Sequence, residues 1–213
     1  MDAVIFGDVA GNYDALMRLV AKCPNRTPIS VGDMIDRGPK SLEVLKFFRE
    51  HGKAIRGNHE DFMIDYYKGV KYESGIWTEH NGGQATRRQF KGKESLFQLW
   101  QIWLKCLPLY IEDDELVITH APIAPGLTLA QAAAYANCSF IRDETESSLA
   151  DDSLIWSRQD PIPRSKYQIF GHNGYLKRYE QNDKEFAICI DSTRSGFLSA
   201  LVLPERRVVV EKI

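Results

Sequence analysis

Three short apolar runs early in the chain each end at a polar side chain. The runs cover residues 3–6, 28–31 and 53–56, and the polar residues that follow them are Asp8, Asp33 and Asn58. Apolar residues at helical spacing come next, over residues 12–23, 41–50 and 60–68. This alternation indicates parallel strands, and ligands bind beyond the carboxyl ends of such strands. The pattern therefore predicts that the three polar side chains face one cleft.

The middle of the chain has a less regular pattern. Residues 74–90 contain Trp77, His80 and an NGG turn at 81–83, and residues 93–107 carry Leu and Trp at helical spacing. We interpret residues 67–107, approximately, as a helical cap over the cleft.

The second half is rich in predicted strands. They begin near residue 109 and continue at 116–119, 154–156, 167–170 and 186–190 and in a last hairpin around Pro204, with a helix at 129–136. His120, His172 and Asp191 each follow one of these strands. We therefore predict one α/β domain (α+β in some schemes) over residues 1–213, with two mixed β-sheets packed as a sandwich and flanked by helices.

Composition and charge exclude several classes of protein. Hydrophobic residues make up 44% of the 213 residues and charged residues 26%, which is ordinary for a globular protein and argues against disorder. The formal net charge of −2 provides no field that would favour nucleic acid or an anionic membrane. No apolar run reaches the ~18 residues of a membrane helix. We expect a cytoplasmic protein with neither a membrane nor an evident nucleic-acid partner, and its oligomeric state stays open.

The polar residues at the strand ends form a mixed set of oxygen and nitrogen donors: Asp8, Asp33, Asn58, His120 and His172. Such a set suits Mn, Fe or Zn in a reactive site, whereas structural zinc is usually bound by thiolates. Each residue alone is weak evidence, because a Gly-Asp turn or a lone histidine usually has a structural role. The combination predicts a metal site.

Three motifs carry a resemblance to a known family. GDVAG at 7–11, GDMIDRG at 32–38 and RGNHE at 56–60, followed by two later histidines, resemble the calcineurin-like metallophosphoesterases and, within them, the phosphoprotein phosphatases. RGNHEDFMID, NGG, WSR and FGHNG are similar to the compact bacterial and phage serine/threonine phosphatases. The resemblance covers nearly the whole chain. It implies the metallophosphoesterase fold and two divalent metal ions. Mn is the expected metal, with Fe, Zn or Ni as alternatives.

The resemblance also implies a role for each donor. Asp8 would bind the first metal, Asp33 would bridge both, and Asn58, His120 and His172 would hold the second. A bridging carboxylate offsets the repulsion between two cations, which together activate the water that attacks phosphorus.

The remaining site residues follow from the same resemblance. His59 would protonate the leaving alkoxide while Asp36 holds its imidazole. Arg37, Arg56 and Arg158 would bind phosphate oxygens. Two plainer interpretations stay open: Asp36 and Arg37 could pair on a turn, and Arg158 could be a solvated surface charge.

One position departs from the family pattern. The first motif has Ala10 where the family has a histidine ligand, so the first metal should bind more weakly and activity should be reduced. Asn12 could lend an oxygen instead. The alanine fits either a substitution that disables an intact enzyme or a natural one-metal variant.

These residues predict a metal-dependent phosphomonoesterase of the serine/threonine protein phosphatase type, acting on a phosphorylated protein or a small phosphate ester. One alternative is hydrolysis of dinucleotide polyphosphates or nucleotides on the same fold. The other is a phospho-ligand binding protein without catalysis. The cap would select the substrate. Asp191 closes a strand and begins a segment that resembles the family's late Asp-Thr-Gly segment beside the site. The plainer interpretation is a turn that ends the strand, and Thr193 or Arg194 could contact substrate.

Overall fold

A computed structural model describes residues 1–66, 75–137 and 151–213 of the chain. Its strands are β1 Ala3–Phe6, β2 Thr27–Ser30, β3 Lys53–Ala54, β4 Tyr110–Glu112, β5 Leu116–Thr119, β6 Tyr167–Phe170, β7 Leu176–Gln181, β8 Lys184–Ile190, β9 Phe197–Val202 and β10 Arg207–Lys212. Its helices are α1 Tyr13–Lys22, α2 Ser41–His51, α3 Asn58–Asp65, α4 Gly83–Gln89, α5 Glu94–Lys105 and α6 Leu129–Asn137, with a π-helical turn at Ile76–His80 and a 3-10 turn at Thr193–Ser195.

The strands form two mixed sheets, as the sequence predicts. The first has the order β10-β9-β1-β2-β3, with β1, β2 and β3 parallel and β9 and β10 antiparallel. The second has the order β4-β5-β6-β8-β7, with β5, β6 and β8 parallel and an antiparallel strand at each edge. Each sheet therefore places the carboxyl ends of three parallel strands at one edge.

The side chains of β1 show how the layers are built. Ala3 and Ile5 pack into a cluster that both sheets share, while Val4 and Phe6 face the helices on the other side. Because both faces of β1 are covered, the strand is apolar throughout rather than alternating. The cluster between the sheets consists of Ala3, Ile5, Ile29, Val31, Ile55, Leu116, Ile118, Tyr167, Ile169, Ile188, Ile190, Leu201 and Leu203.

The helical segment before β4 shares its core with the first sheet. Trp77, Phe97 and Trp100 belong to the same cluster as Phe6 and Phe48. Residues 67–74 of the predicted cap lie outside the described residues. The bounds of the cap and of the single domain stay predictions. None of the described helices combines the length and hydropathy needed to cross a membrane.

The sequence prediction differs from the structure in two places. Residues 154–156 form turns rather than a strand, although Leu154 and Ile155 are fully buried. β7 was not predicted, because Tyr179 is the one buried side chain among its six residues and the segment therefore has little apolar pattern. An apolar run indicates burial, and the strand assignment needs a neighbouring strand as well.

Candidate active site

Residues at the strand ends of both sheets converge on one cleft. Of the ten predicted site residues, the cleft is lined by Asp8, Asp33, Arg37, Asn58, His59, Arg158 and His172, and its further lining residues are Asn81, Trp156, Gly174, Asp191, Thr193 and Arg194. His120 is fully buried, with Nε2 3.3 Å from Asp33 Oδ1. The predicted metal donors are therefore neighbours in space, and their roles as ligands stay predictions.

Close backbone approach at this edge depends on glycine. Gly32 has φ +98°, and a Cβ there would lie 2.7 Å from Gly57 N and 2.9 Å from His120 Nδ1. Asp33, Asp36 and His172 also adopt positive φ, at 49°, 75° and 68°. Such conformations cost free energy outside glycine and concentrate at functional sites.

The hydrogen bonds of His120 fix which ring nitrogen carries the proton. Nδ1 lies 2.9 Å from the Val31 carbonyl and donates to it, so Nε2 keeps its lone pair. That lone pair faces Asn58 Oδ1 at 2.9 Å and Asp33 Oδ1 at 3.3 Å. Burial lowers the pKa of His120 below its usual value, which favours the neutral ring.

His172 has the same arrangement with its nitrogens exchanged. Nε2 lies 3.3 Å from the Trp156 carbonyl, and Nδ1 lies 3.1 Å from Asn58 Oδ1. Burial, together with neighbouring His120 and Arg158, lowers the pKa of His172 well below its usual value. Its Nδ1 lone pair therefore also points at an oxygen.

This donor set fits a divalent cation. Asp33, His120 and His172 offer ligand atoms that all lie within 4.8 Å of one another. The oxygen of Asn58 and both imidazole lone pairs are acceptors, so a cation between them would satisfy all three. Burial and the carboxylates of Asp191 and Asp33 raise the pKa of Asp8 well above its usual range.

The Asp36 carboxylate holds His59, and side chains of the following helical segment donate hydrogen bonds to that carboxylate. Its Nδ1 lies 2.6 Å from Asp36 Oδ2, which also accepts a 2.6 Å hydrogen bond from Trp77 Nε1. Thr86 Oγ1 donates to Asp36 Oδ1 at 2.6 Å. Burial acts to lower the pKa of His59, but the carboxylates of Asp33 and Asp36 outweigh it and raise the pKa. The ring is thus positioned and biased toward carrying a proton.

The three predicted phosphate-binding arginines occupy different places. Arg37 reaches the cleft, with Nη2 3.1 Å from His59 Nε2, and Arg158 lies in the cleft with Nη1 3.4 Å from the His172 carbonyl. Arg56 is absent from the cleft lining, and its Nε lies 3.0 Å from Asp61 Oδ1. The structure brings two of the arginines to the predicted site, and the phosphate contact of Arg56 stays a prediction without that support.

Ala10 keeps the backbone of the first motif although it has no donor atom. Its N–H donates to Asp33 O at 2.8 Å, its carbonyl accepts from Gly38 N at 2.9 Å, and its φ is +47°. Asn12 Nδ2 donates to the carbonyls of Val9 and Ala10, at 2.9 and 3.1 Å. Asn12 does not line the cleft, so the structure gives no support to its role as a substitute donor.

Glu60 is a residue whose importance the sequence analysis did not find. Its carboxylate accepts from Asp33 N and Met34 N at 2.8 Å and from Gly57 N at 2.9 Å. It thereby joins the loop after β2 to the turn before α3. Burial and the charge of Asp33 raise its pKa to about 8. The available signal was its place three residues after the N-cap Gly57, where a glutamate can accept from the N-cap backbone N–H.

Comparison with known proteins identifies the family. A family model described as Calcineurin-like phosphoesterase matches residues 1–188. The chain belongs to this family. The resemblance inferred from the motifs is therefore confirmed, and the phosphoesterase fold explains why donors from two sheets meet at one edge.

Several curated relatives of this chain carry the same name. The chain is 33% identical over 159 residues to a symmetrical bis(5'-nucleosyl)-tetraphosphatase of Vibrio vulnificus strain CMCP6, which covers 71% of this chain and 54% of the relative. It is 34% identical over 134 residues to the protein of the same name from Hamiltonella defensa, covering 59% of this chain and 46% of the relative. The phosphoesterase chain spans about half the length of the curated relatives it matches.

Solved structures show the same fold at low identity. A cold-active protein-tyrosine phosphatase of Shewanella sp. aligns with a TM-score of 0.61 and 19% identity, over 99% of this chain and 77% of that one. A protein serine/threonine phosphatase of Saccharomyces cerevisiae aligns with a TM-score of 0.55 and 16% identity, over 100% and 79%. These likenesses confirm the two-sheet architecture of the phosphoesterase.

Removing the Glu60 carboxylate should destabilise the protein strongly. Glu60→Ala leaves three backbone N–H groups without their acceptor, at about 1–3 kcal/mol for each buried donor, so we expect a loss of several kcal/mol in urea denaturation. Glu60→Gln keeps one oxygen and should lose less. Exposed Glu43→Ala is the matched control and should change little. Equal stability of the Ala and Gln variants would contradict the role of these hydrogen bonds.

Proposed function

We propose that this phosphoesterase hydrolyses dinucleoside polyphosphates between phosphate groups. The observation that carries the proposal is the similarity to symmetrical bis(5'-nucleosyl)-tetraphosphatases, at 33% identity over 159 residues. It favours the dinucleotide alternative over the protein phosphatase activity that the motifs alone suggested.

The charge of the cleft supports this substrate class. Arg37, Arg158 and Arg194 all line the cleft, and they come from three separate segments of the chain. A single phosphomonoester presents one phosphate, whereas a polyphosphate presents several in a row. One guanidinium group can bind two phosphate oxygens at once. Three arginines distributed around one cleft therefore match an extended anion.

The predicted metal donors would hold the cations that supply the activating charge. Asp8, Asp33, Asn58, His120 and His172 are the residues that would hold the divalent cations. Bound there, these cations supply Lewis acidity that activates water and neutralises the phosphoryl oxygens. The neutral rings of His120 and His172 suit that role, because their lone pairs already face the shared oxygen of Asn58.

His59 would supply the proton for the leaving group. Asp36 holds Nδ1, so Nε2 is the atom directed to the cleft, where Arg37 Nη2 lies 3.1 Å away. Nε2 can accept from Arg37 only while it is unprotonated, so Arg37 would turn to the phosphate when His59 carries the proton. A raised pKa keeps the imidazole protonated over more of the physiological range.

The proposed substrate is tested by comparing two phosphate compounds. With Mn²⁺ present, we expect kcat/KM for diadenosine tetraphosphate to exceed that for a phosphoserine peptide by at least about 10-fold, which is about 1.4 kcal/mol of transition-state stabilisation. Nucleotide products are separated by chromatography, and symmetrical cleavage yields ADP alone. A preference for the phosphopeptide would restore the protein phosphatase hypothesis. Binding of either compound without turnover would favour a phospho-ligand binding protein.

The effect of removing the His59 side chain on turnover should depend on the leaving group. His59→Asn should lower turnover of a phosphoserine peptide by about 10²–10⁴-fold, the usual contribution of a general acid. The loss of turnover with diadenosine tetraphosphate should be smaller, because the departing nucleotide phosphate has a pKa of about 6 and leaves readily as an anion. Exposed His51→Asn is the matched control. Equal losses for the two substrates would exclude His59 as the proton donor.

A further inference from the structure

We propose that the departing half of a dinucleoside polyphosphate lies along α4, with a phosphate on Arg88 and its nucleoside in a cavity between α4 and α5. The inference rests on the proposed function and names the surface that would bind one end of that substrate. The cavity has a volume of about 320 Å³, and its lining includes Arg87, Arg88, Phe90, Lys91, Glu94 and Phe97. Volumes of this order are typical of sites for small-molecule ligands.

Helix α4 is fixed to the candidate active site by hydrogen bonds. Thr86 Oγ1 donates to Asp36 Oδ1 at 2.6 Å. Directly before the helix, the Gly82 carbonyl accepts from Arg37 N at 3.2 Å, and a Cβ on Gly82 would lie 2.8 Å from Arg37 Cγ. The outer surface of α4 therefore begins at the arginine that lies beside His59.

Shared lining residues connect the cleft to the cavity. Arg37 lines the cleft and also a depression of about 400 Å³, whose other lining residues are Pro39, Ala85, Arg88 and Gln89. Arg88 in turn lines both this depression and the cavity. A row of phosphates that begins at Arg37 can therefore continue to Arg88 over one surface.

The charge around the cavity matches an anion. Of the described residues that line it, Glu94 is acidic, and Arg87, Arg88 and Lys91 are basic. Among the residues that the structure describes, no carboxylate forms an ion pair with Arg88 or Lys91, and the partner of Arg88 Nη2 is the neutral Gln84 Oε1 at 2.9 Å. Both cations are exposed and available to phosphate oxygens.

The wall of the cavity suits a nucleobase. The rings of Phe90 and Phe97 pack edge to face with their centroids 5.2 Å apart. Arg87 Cζ lies over the Tyr66 ring, 4.2 Å from its centroid, so this guanidinium is held in place beside the cavity. Bases stack on aromatic rings and on guanidinium planes. A nucleoside would use this wall, whereas an inorganic phosphate would not.

The position of His59 indicates which half of the substrate lies here. His59 would protonate the leaving group, and Arg37 Nη2 lies 3.1 Å from its Nε2. The surface of α4 therefore starts on the side of the leaving group. Symmetrical cleavage leaves two phosphates on each half of a tetraphosphate, so one can reach Arg37 and the other Arg88. The occupant of α4 is thus the departing nucleoside diphosphate.

The kinetic test removes the two exposed cations. With Mn²⁺ present, Arg88→Gln combined with Lys91→Gln should raise KM for diadenosine tetraphosphate by at least about 5-fold and change kcat less, because the contacts are made in the ground state as well. The rise should be smaller for p-nitrophenyl phosphate, which has one phosphate and no nucleoside. An unchanged KM for diadenosine tetraphosphate would overturn the inference.

The matched control removes the same two charges elsewhere. Lys46→Gln combined with Arg49→Gln alters two exposed residues of α2 that line neither the cleft, the depression nor the cavity. We expect this variant to keep the KM of the unsubstituted chain for both substrates. An equal rise of KM in the control would show a general effect of net charge and would overturn the inference.

The location is tested by photolabelling with 8-azidoadenosine diphosphate while EDTA removes metals and prevents turnover. We expect label in peptides from residues 84–97, and less of it in the Arg88→Gln Lys91→Gln variant. Label confined to other segments would overturn the inference, and if diadenosine tetraphosphate is still hydrolysed the proposed function stays intact. Label in residues 84–97 without hydrolysis would support the nucleotide site and contradict the proposed function.

Discussion

The site depends on the hydrogen bond from His120 Nδ1 to the Val31 carbonyl. His120 follows β5 of one sheet and Val31 follows β2 of the other, so this 2.9 Å contact joins the two layers at their common edge. It also leaves the Nε2 lone pair facing Asn58 and Asp33. A single contact thus couples the packing of the sandwich to the chemistry of the cleft.

The loops at this common edge of the two sheets have unfavourable backbone conformations. Ala10, Asp33 and His172 have φ values of 47°, 49° and 68°. Backbone hydrogen bonds offset their cost: Asp33 N donates to Glu60, Ala10 N to the Asp33 carbonyl and His172 N to Asp8 Oδ1. The loops are held by buried polar contacts, and the cleft residues they carry are therefore fixed before any ligand binds.

The sequence predicted much of the fold, because apolar runs and helical spacing are local signals. The turn from strand to polar residue located Asp8 and His172 correctly at one edge. The close approach of β1 to the end of β8, where a Cβ on Gly7 would collide with the Ile190 carbonyl, could not be predicted, since it depends on how the two sheets pack. For Arg56 the motif predicts a phosphate contact, which stays a prediction, and the structure places its Nε 3.0 Å from Asp61 Oδ1.

The central claim is that Asp33, Asn58, His120 and His172 form a divalent metal site. The most direct measurement is anomalous diffraction from a crystal of the protein grown with Mn²⁺. The account predicts a Mn²⁺ peak bonded to His120 Nε2, His172 Nδ1 and the side-chain oxygens of Asn58 and Asp33. Peaks confined to other positions at saturating Mn²⁺, with none between the two imidazoles and Asn58, would contradict it.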